Sequence, residues 1–203
     1  MDINRLISEL YQIQSLKIGK FTLKSGDTSP FYIDLRLIPS NPNLFKQVIQ
    51  IYDDLINNLK YPIGAIAGLI SAGIPYATAV CINNSIPLLQ IRSNVKDHGT
   101  KKIIEGVIPS ENKKIVILDD LISTGASKLP AIKALLDLEL FVDDIIVLID
   151  RRKVQEPIIF EEKPINVHSY IKLSQIYQEI QNIQLSNIEL EEIKSSIHNW
   201  MQH

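Results

Sequence analysis

The stretch Ile115-Val116-Ile117-Leu118-Asp119-Asp120 narrows the choice of fold more than any other part of this chain. A continuous apolar run of this kind reads as a strand buried on both faces, as in a parallel sheet. The run ends in two adjacent acids, Asp119 and Asp120, and a loop follows: Leu121, Ile122, Ser123, Thr124, Gly125, Ala126 and Ser127. A helical pattern then runs from Leu129 to Leu138. Ligands of open α/β sheets bind at the carboxyl ends of strands, so the acids and the loop stand where a site belongs.

The flanking sequence alternates in the same way. Ile63 to Ala67 and Pro87 to Ile91 read as strands, with a helix from Ile74 to Ile82 between them. Ile145 to Ile149 reads as a further buried strand. The alternation predicts an α/β protein with a doubly wound, mainly parallel sheet flanked by helices. Before it come a helix lined by Ile3, Leu6, Ile7, Leu10 and Ile13 and two short strands, Ile18 to Leu23 and Phe31 to Leu35. Pro39, Asn41 and Pro42 break the chain ahead of a longer helix lined by Leu44, Val48, Ile51, Leu55 and Leu59. After it come a strand, Ile165 to Tyr170, and two amphipathic helices. The expectation is one domain, 1–203, with a small N-terminal hood at 1–40, a core at 60–152 and C-terminal strand and helices at 165–203.

A chain of 203 residues, 45% hydrophobic, can build its core without disulfide or metal staples. Cys81 is the sole cysteine, which fits a reducing compartment. The net charge of -2 implies no broad basic field for nucleic acid. Met1-Asp2-Ile3-Asn4-Arg5 does not open a signal peptide, and no apolar run approaches bilayer length, so no membrane and a cytoplasmic location are expected.

The loop suits a phosphate. Gly125 and Ala126 let backbone approach an anion, and the first amides of the next helix lack internal partners. Ser123, Thr124 and Ser127 add hydroxyl donors, and Pro130 sits in the helix's first turn, where its missing N–H costs little. Two carboxylates beside a phosphate would repel it, so Asp119 and Asp120 must face something else, such as sugar hydroxyls or a developing cation. The Gly-Lys-Ser/Thr of a P-loop is absent. A helix cap and a solvated turn are the bland alternatives, and both stand on these residues alone.

An acidic pair, then Thr-Gly-small-Ser/Thr and a helix, resembles the signature by which type I phosphoribosyltransferases bind phosphoribosyl pyrophosphate (PRPP). Further segments resemble the orotate phosphoribosyltransferase family. Phe21 to Gly26 with Ser29 to Asp34 is similar to its substrate-binding hairpin. Gly73-Ile74-Pro75-Tyr76-Ala77 resembles its pyrophosphate loop and helix. Arg92, Lys96-Asp97-His98-Gly99 and Ile104-Glu105-Gly106 resemble its mobile catalytic loop, and Asp150-Arg151 its orotate-clamping segment. The likeness covers nearly the whole chain and is strongest to the orotate half of bifunctional UMP synthases.

The resemblance implies the type I fold and transfer of phosphoribose from PRPP to orotate in pyrimidine biosynthesis. It implies PRPP contacts from Lys24, Ser71, Ala72, Arg92, Ser93, Lys96, His98 and the run Asp119 to Ser127. It implies orotate contacts from Lys24, Tyr32, Ile33, Ser123 and Arg151, and catalytic parts for Lys96, His98, Asp119 and Asp120. Mg²⁺ would arrive on PRPP, with Asp119 or Asp120 as the protein ligands to consider. A homodimer sharing the catalytic loop is implied too. The bland reading of Arg151 is a surface ion pair with Asp150. Alternatives for the whole chain are a phosphoribosyltransferase for another base and a non-catalytic PRPP sensor.

Three places depart from the family pattern. Ser93 stands where a lysine usually follows the loop arginine, and Ser71-Ala72 stands where bacterial members carry Tyr-Lys. Arg152-Lys153-Val154-Gln155 replaces the usual glycines after Asp-Arg. A charged contact to phosphate contributes roughly 1.5–3 kcal/mol, so PRPP binding is expected to weaken unless Lys101 or Lys102 compensates.

Overall fold

The computed structural model describes residues 2–22, 26, 28–92, 103–110 and 114–182. The first elements are α1 (Ile3–Gln12), β1 (Leu16–Thr22), β2 (Thr28–Ile33), a 3-10 turn (Leu35–Ser40) and α2 (Pro42–Asn57). Then come β3 (Ile63–Leu69), α3 (Gly73–Asn84), β4 (Leu88–Ile91), β5 (Ile104–Glu105) and β6 (Lys114–Ile122). A 3-10 turn (Ala126–Lys128) leads into α4 (Leu129–Leu136), followed by β7 (Phe141–Asp150), β8 (Ile158–Phe160), β9 (Lys163–Lys172) and α5 (Leu173–Asn182). The second C-terminal helix of the sequence reading lies outside the described residues.

Two compact units form, one of residues 1–45 with 173–203 and one of residues 46–172. The expected hood falls in the first and the expected core in the second. The strand expected at 165–170 is part of β9 and belongs to the second.

In the first unit Asp2 caps α1 by accepting the Arg5 amide at 3.4 Å. Leu6, Ile7 and Leu10, at helical spacing, form the buried face. β1 and β2 pair antiparallel, and the Ser15 hydroxyl donates to the Asp34 carbonyl at 2.7 Å. Phe31 meets Tyr177 of α5 edge-on, with ring centroids 5.6 Å apart. Where the sequence reading places only a break, residues 35–40 coil into a 3-10 turn. Asp34 starts it by accepting the Arg36 amide at 3.2 Å.

The second unit is a seven-stranded sheet in the order β5-β4-β3-β6-β7-β9-β8. The five inner strands are parallel, and β5 and β8 close the two edges antiparallel. Ala65, Ala67, Ile115, Ile117, Ile145 and Val147 pack on one face with Ala131, Ile132 and Leu135 of α4. Ile66, Val116, Leu118, Ile146 and Leu148 are fully buried as well, so the inner strands are covered on both faces.

Two sequence expectations need correction here. β6 does not stop at Leu118. It pairs onward with β7 through Asp119–Val147, Leu121–Ile149 and Ile122–Asp150, so both acids lie within the paired strand. β7 starts at Phe141, ahead of the expected Ile145, and carries Asp143 and Asp144 into the sheet.

Asp144 is 4% exposed and gathers three donors from other elements. His168 lies at 2.6 Å and the Asn166 amide at 3.2 Å, and the Tyr61 hydroxyl bonds the second carboxylate oxygen. Burial alone would push this carboxyl up. The bonds from His168, Tyr61 and Asn166 outweigh it and hold the group below its ordinary 3.8. A carboxyl depressed in the native state adds stability that is complete above the unfolded value and lost as pH falls through the native one. Asp144→Ala should therefore cost roughly 1–3 kcal/mol near pH 7 and progressively less below about pH 3.8. Urea midpoints at neutral and acid pH check this; an equal loss at both would contradict it.

Candidate active site

The strands β4, β3, β6 and β7 are parallel neighbours, so their carboxyl ends form one edge. Along it stand Arg92 after β4, Ser71-Ala72 after β3, Asp119 to Ser127 at β6 and Asp150-Arg151 at β7. Backbone bonds tie these ends together. Ile70 donates to the Ile91 carbonyl at 2.8 Å, and Arg151 donates to the Ile122 carbonyl at 2.8 Å. The Ile70-Ser71 peptide is cis. The fold thus brings four separate stretches of the predicted site to one place.

α3 begins against the acid pair. A Cβ on Gly73 would lie 2.7 Å from the Leu118 carbonyl oxygen and 2.8 Å from Asp119 Oδ1, so only hydrogen fits there. The capping position, Ala72, supplies no side-chain bond. The first-turn amides of α3 therefore lack both an intrahelical acceptor and a side-chain cap, which suits an anion.

Asp119 is 7% exposed and held from three elements. Lys128, from the turn before α4, pairs with its Oδ2. The buried Tyr52 hydroxyl of α2 donates to its carbonyl at 2.9 Å. Gly73 of α3 closes on Oδ1. Burial raises the Tyr52 hydroxyl well above its ordinary range, so it stays a donor. Asp120 is half-buried and accepts the Leu121 amide at 2.7 Å. Burial, then the charge of Asp119, pushes its carboxyl up to about 7.

Beyond the acids, Leu121 is half-buried and Ile122 packs into the core. Ser123, Thr124, Ala126 and Ser127 are exposed, so their hydroxyls and backbone face outward. Gly125 takes a left-handed φ of 84°, and a Cβ there would also lie 2.8 Å from Ile158 Cδ1. The left-handed φ calls for glycine, while the end of the Ile158 side chain could move aside. The turn is held by the Lys128 amide on the Gly125 carbonyl at 2.8 Å. The arrangement is a turn of exposed hydroxyls beside two acids.

The Arg92 fork contacts Glu105 of β5 at 2.6 and 2.9 Å in a partly exposed pair, which holds weakly in water. Asp150 is held by Arg152. It is 1% exposed, and Arg152 grips it at 2.7 and 2.9 Å and also reaches the Glu156 carbonyl at 2.6 Å. The arginine seen to hold Asp150 is thus Arg152, the residue after the one named from the sequence. Tyr32 is exposed on β2 and stacks at a tilt on Phe21, 5.7 Å between centroids, while Ile33 is buried. Lys24, Ser93, Lys96, His98, Lys101 and Lys102 lie outside the described residues. Tyr52, Lys128 and Arg152 were not anticipated. A lysine and a tyrosine on helical segments look like solvated or core residues until the strand they reach is known.

No protein-family model matches the chain. An orotate phosphoribosyltransferase from Pyrobaculum aerophilum is 33% identical over 175 residues, which cover 86% of this chain and 89% of that protein. Bovine uridine 5'-monophosphate synthase is 34% identical over 174 residues, 86% of this chain. Those residues make up 36% of the bovine protein, so the chain spans about a third of that relative's length. The structure of Leishmania donovani UMP synthase superposes with a TM-score of 0.75 at 28% identity, covering 98% of this chain and 42% of that one. With identity of this order across most of the archaeal enzyme, the chain belongs to the orotate phosphoribosyltransferase family.

Proposed function

We propose that the chain transfers the phosphoribosyl group of PRPP to orotate, giving orotidine 5'-monophosphate and pyrophosphate for pyrimidine synthesis. The observation that carries this is the edge where the acid pair, the hydroxyl-rich loop and the uncapped start of α3 meet. The hydroxyls of Ser123, Thr124 and Ser127 and the backbone of Gly125 and Ala126 take the 5'-phosphate. Asp119 and Asp120 accept the ribose hydroxyls and favour positive charge on the anomeric carbon as its bond to pyrophosphate breaks. Arg92, Lys96 and His98 receive the charge of the departing pyrophosphate, and Ser123 and Arg151 orient the base. Arg92 must exchange Glu105 for pyrophosphate, a cheap exchange for a pair this exposed. Catalysis is positioning plus electrostatics, with no covalent enzyme intermediate.

The carboxylates of Asp119 and Asp120 are hard oxygen donors of the kind Mg²⁺ accepts. Bound with PRPP, Mg²⁺ would screen the pyrophosphate charge. We place the enzyme in the cytoplasm as a homodimer. No helix among the described residues is long and apolar enough to cross a membrane, and the lone Cys81 suits a reducing compartment.

The test is the loss of orotate absorbance when PRPP and Mg²⁺ are added to purified protein. The expected loss requires all three components and falls at least about a hundredfold in Lys96→Ala, the size of effect that follows removal of one charge-stabilising donor. PRPP binding without turnover of orotate would favour a sensor, and turnover of a purine base instead would favour another member of the wider fold.

A further inference from the structure

Two carboxylates beside a phosphate cradle raise an electrostatic difficulty, since each would repel an incoming phosphorylated sugar. The structure supplies a third charge. Lys128 is 4% exposed, and its ammonium sits against Asp119 Oδ2. A buried ammonium without a partner costs several kcal/mol, so the side chain can lie here only because the acid does. Nothing in its sequence position marks it, since it falls on a short turn next to a helix. Tyr52 anchors the Asp119 backbone through its carbonyl, and the close approach of Gly73 to Oδ1 confines the carboxylate from that side.

We propose that Lys128 is a positioning residue for PRPP: by neutralising Asp119 it lets an acid pair stand next to the phosphate loop with one net negative charge instead of two. The ammonium acts through Asp119 and need not touch the ligand. It adds an internal cation close to the loop in a chain whose departures, Ser93 and Ala72, remove cations expected from the family pattern. This inference rests on the reading of the β6 loop as the PRPP site.

The experiment is calorimetric titration of PRPP into wild type, Lys128→Met and the double variant Lys128→Met/Asp119→Asn, with orotate KM and kcat measured alongside. One uncompensated charge several ångströms from a phosphate changes binding roughly ten- to a hundredfold. Lys128→Met should therefore weaken PRPP binding by that factor while the orotate KM moves less than about threefold, since the charge lies beside the phosphates. Asp119→Asn alone is the reference for the double variant, because Asp119 also meets the ribose. Lys128→Met should cost at least about tenfold less PRPP affinity in the Asp119→Asn background than in wild type, since there is then no charge left to neutralise. A merely structural lysine would cost the same in both backgrounds. If Lys128→Met does not fold, Lys128→Gln takes its place in the same cycle, and equal losses in both backgrounds overturn the assignment. Unchanged PRPP affinity in a folded Lys128→Met also overturns it and leaves the proposed reaction standing. Failure of the wild type to bind PRPP overturns both.

Discussion

Asp120→Asn should lower kcat/KM for orotate and PRPP roughly 100- to 1,000-fold, about 2.7–4 kcal/mol of transition-state stabilisation. The substitution keeps shape and still offers an oxygen to the Leu121 amide, which Asp120 accepts at 2.7 Å. On the proposed mechanism, what it removes is negative charge beside the ribose carbon that becomes cationic. Folding should not suffer. Burial and the charge of Asp119 push the Asp120 carboxyl up to about 7, so the ionised form is held against its preference. A neutral side chain relieves that, and the melting temperature should stay level or rise. Steady-state kinetics with a circular-dichroism melt separate the two effects. Wild-type kcat/KM in the variant would mean that the second acid takes no part in the chemistry.

Arg152→Ala carries the largest expected loss of stability, roughly 3–5 kcal/mol, because it strands a buried carboxylate. Asp150 is 1% exposed at the end of β7, and the Arg152 guanidinium, itself 10% exposed, covers it. The same guanidinium donates to the Glu156 carbonyl at 2.6 Å and so closes the loop that follows. Arg152→Lys should recover only part of the loss, since a point charge cannot reproduce a two-pronged grip. Urea unfolding of the three proteins measures the order. Equal stability of wild type and Arg152→Ala would show that the pair contributes nothing in solution.

The fold was readable where one physical requirement dominated. Ile115 to Leu118 could only be a strand covered on both faces, and alternation with helical patterns ordered the parallel sheet. The glycine turn after β6 was readable for the same reason, because Gly125 and the surrounding hydroxyls form a local pattern. What stayed hidden depends on partners distant in sequence. β5 and β8 are two and three residues long, below any periodicity. Asp143 and Asp144 broke the apolar pattern of β7, since the donors that make Asp144 tolerable come from Tyr61, Asn166 and His168. Lys128 and Tyr52 reach Asp119 from a turn and a helix that local sequence marks as ordinary. Arg152 looked like a departure from the family pattern, and its role emerged only once Asp150 was seen to be buried.

At Gly73 the site has no room for adjustment. The gap between the start of α3 and the end of β6 holds a hydrogen atom and nothing larger. The α3 amides and the β6 acids, to which the proposed reaction assigns pyrophosphate and ribose, therefore share one fixed spacing, like the two jaws of a gauge. A ligand with a longer or shorter reach between its phosphate and its sugar cannot be accommodated by small shifts of either jaw. Anyone re-engineering this scaffold for a different phosphorylated sugar would have to redesign residues 70–76 and 117–123 together, since neither segment can move alone.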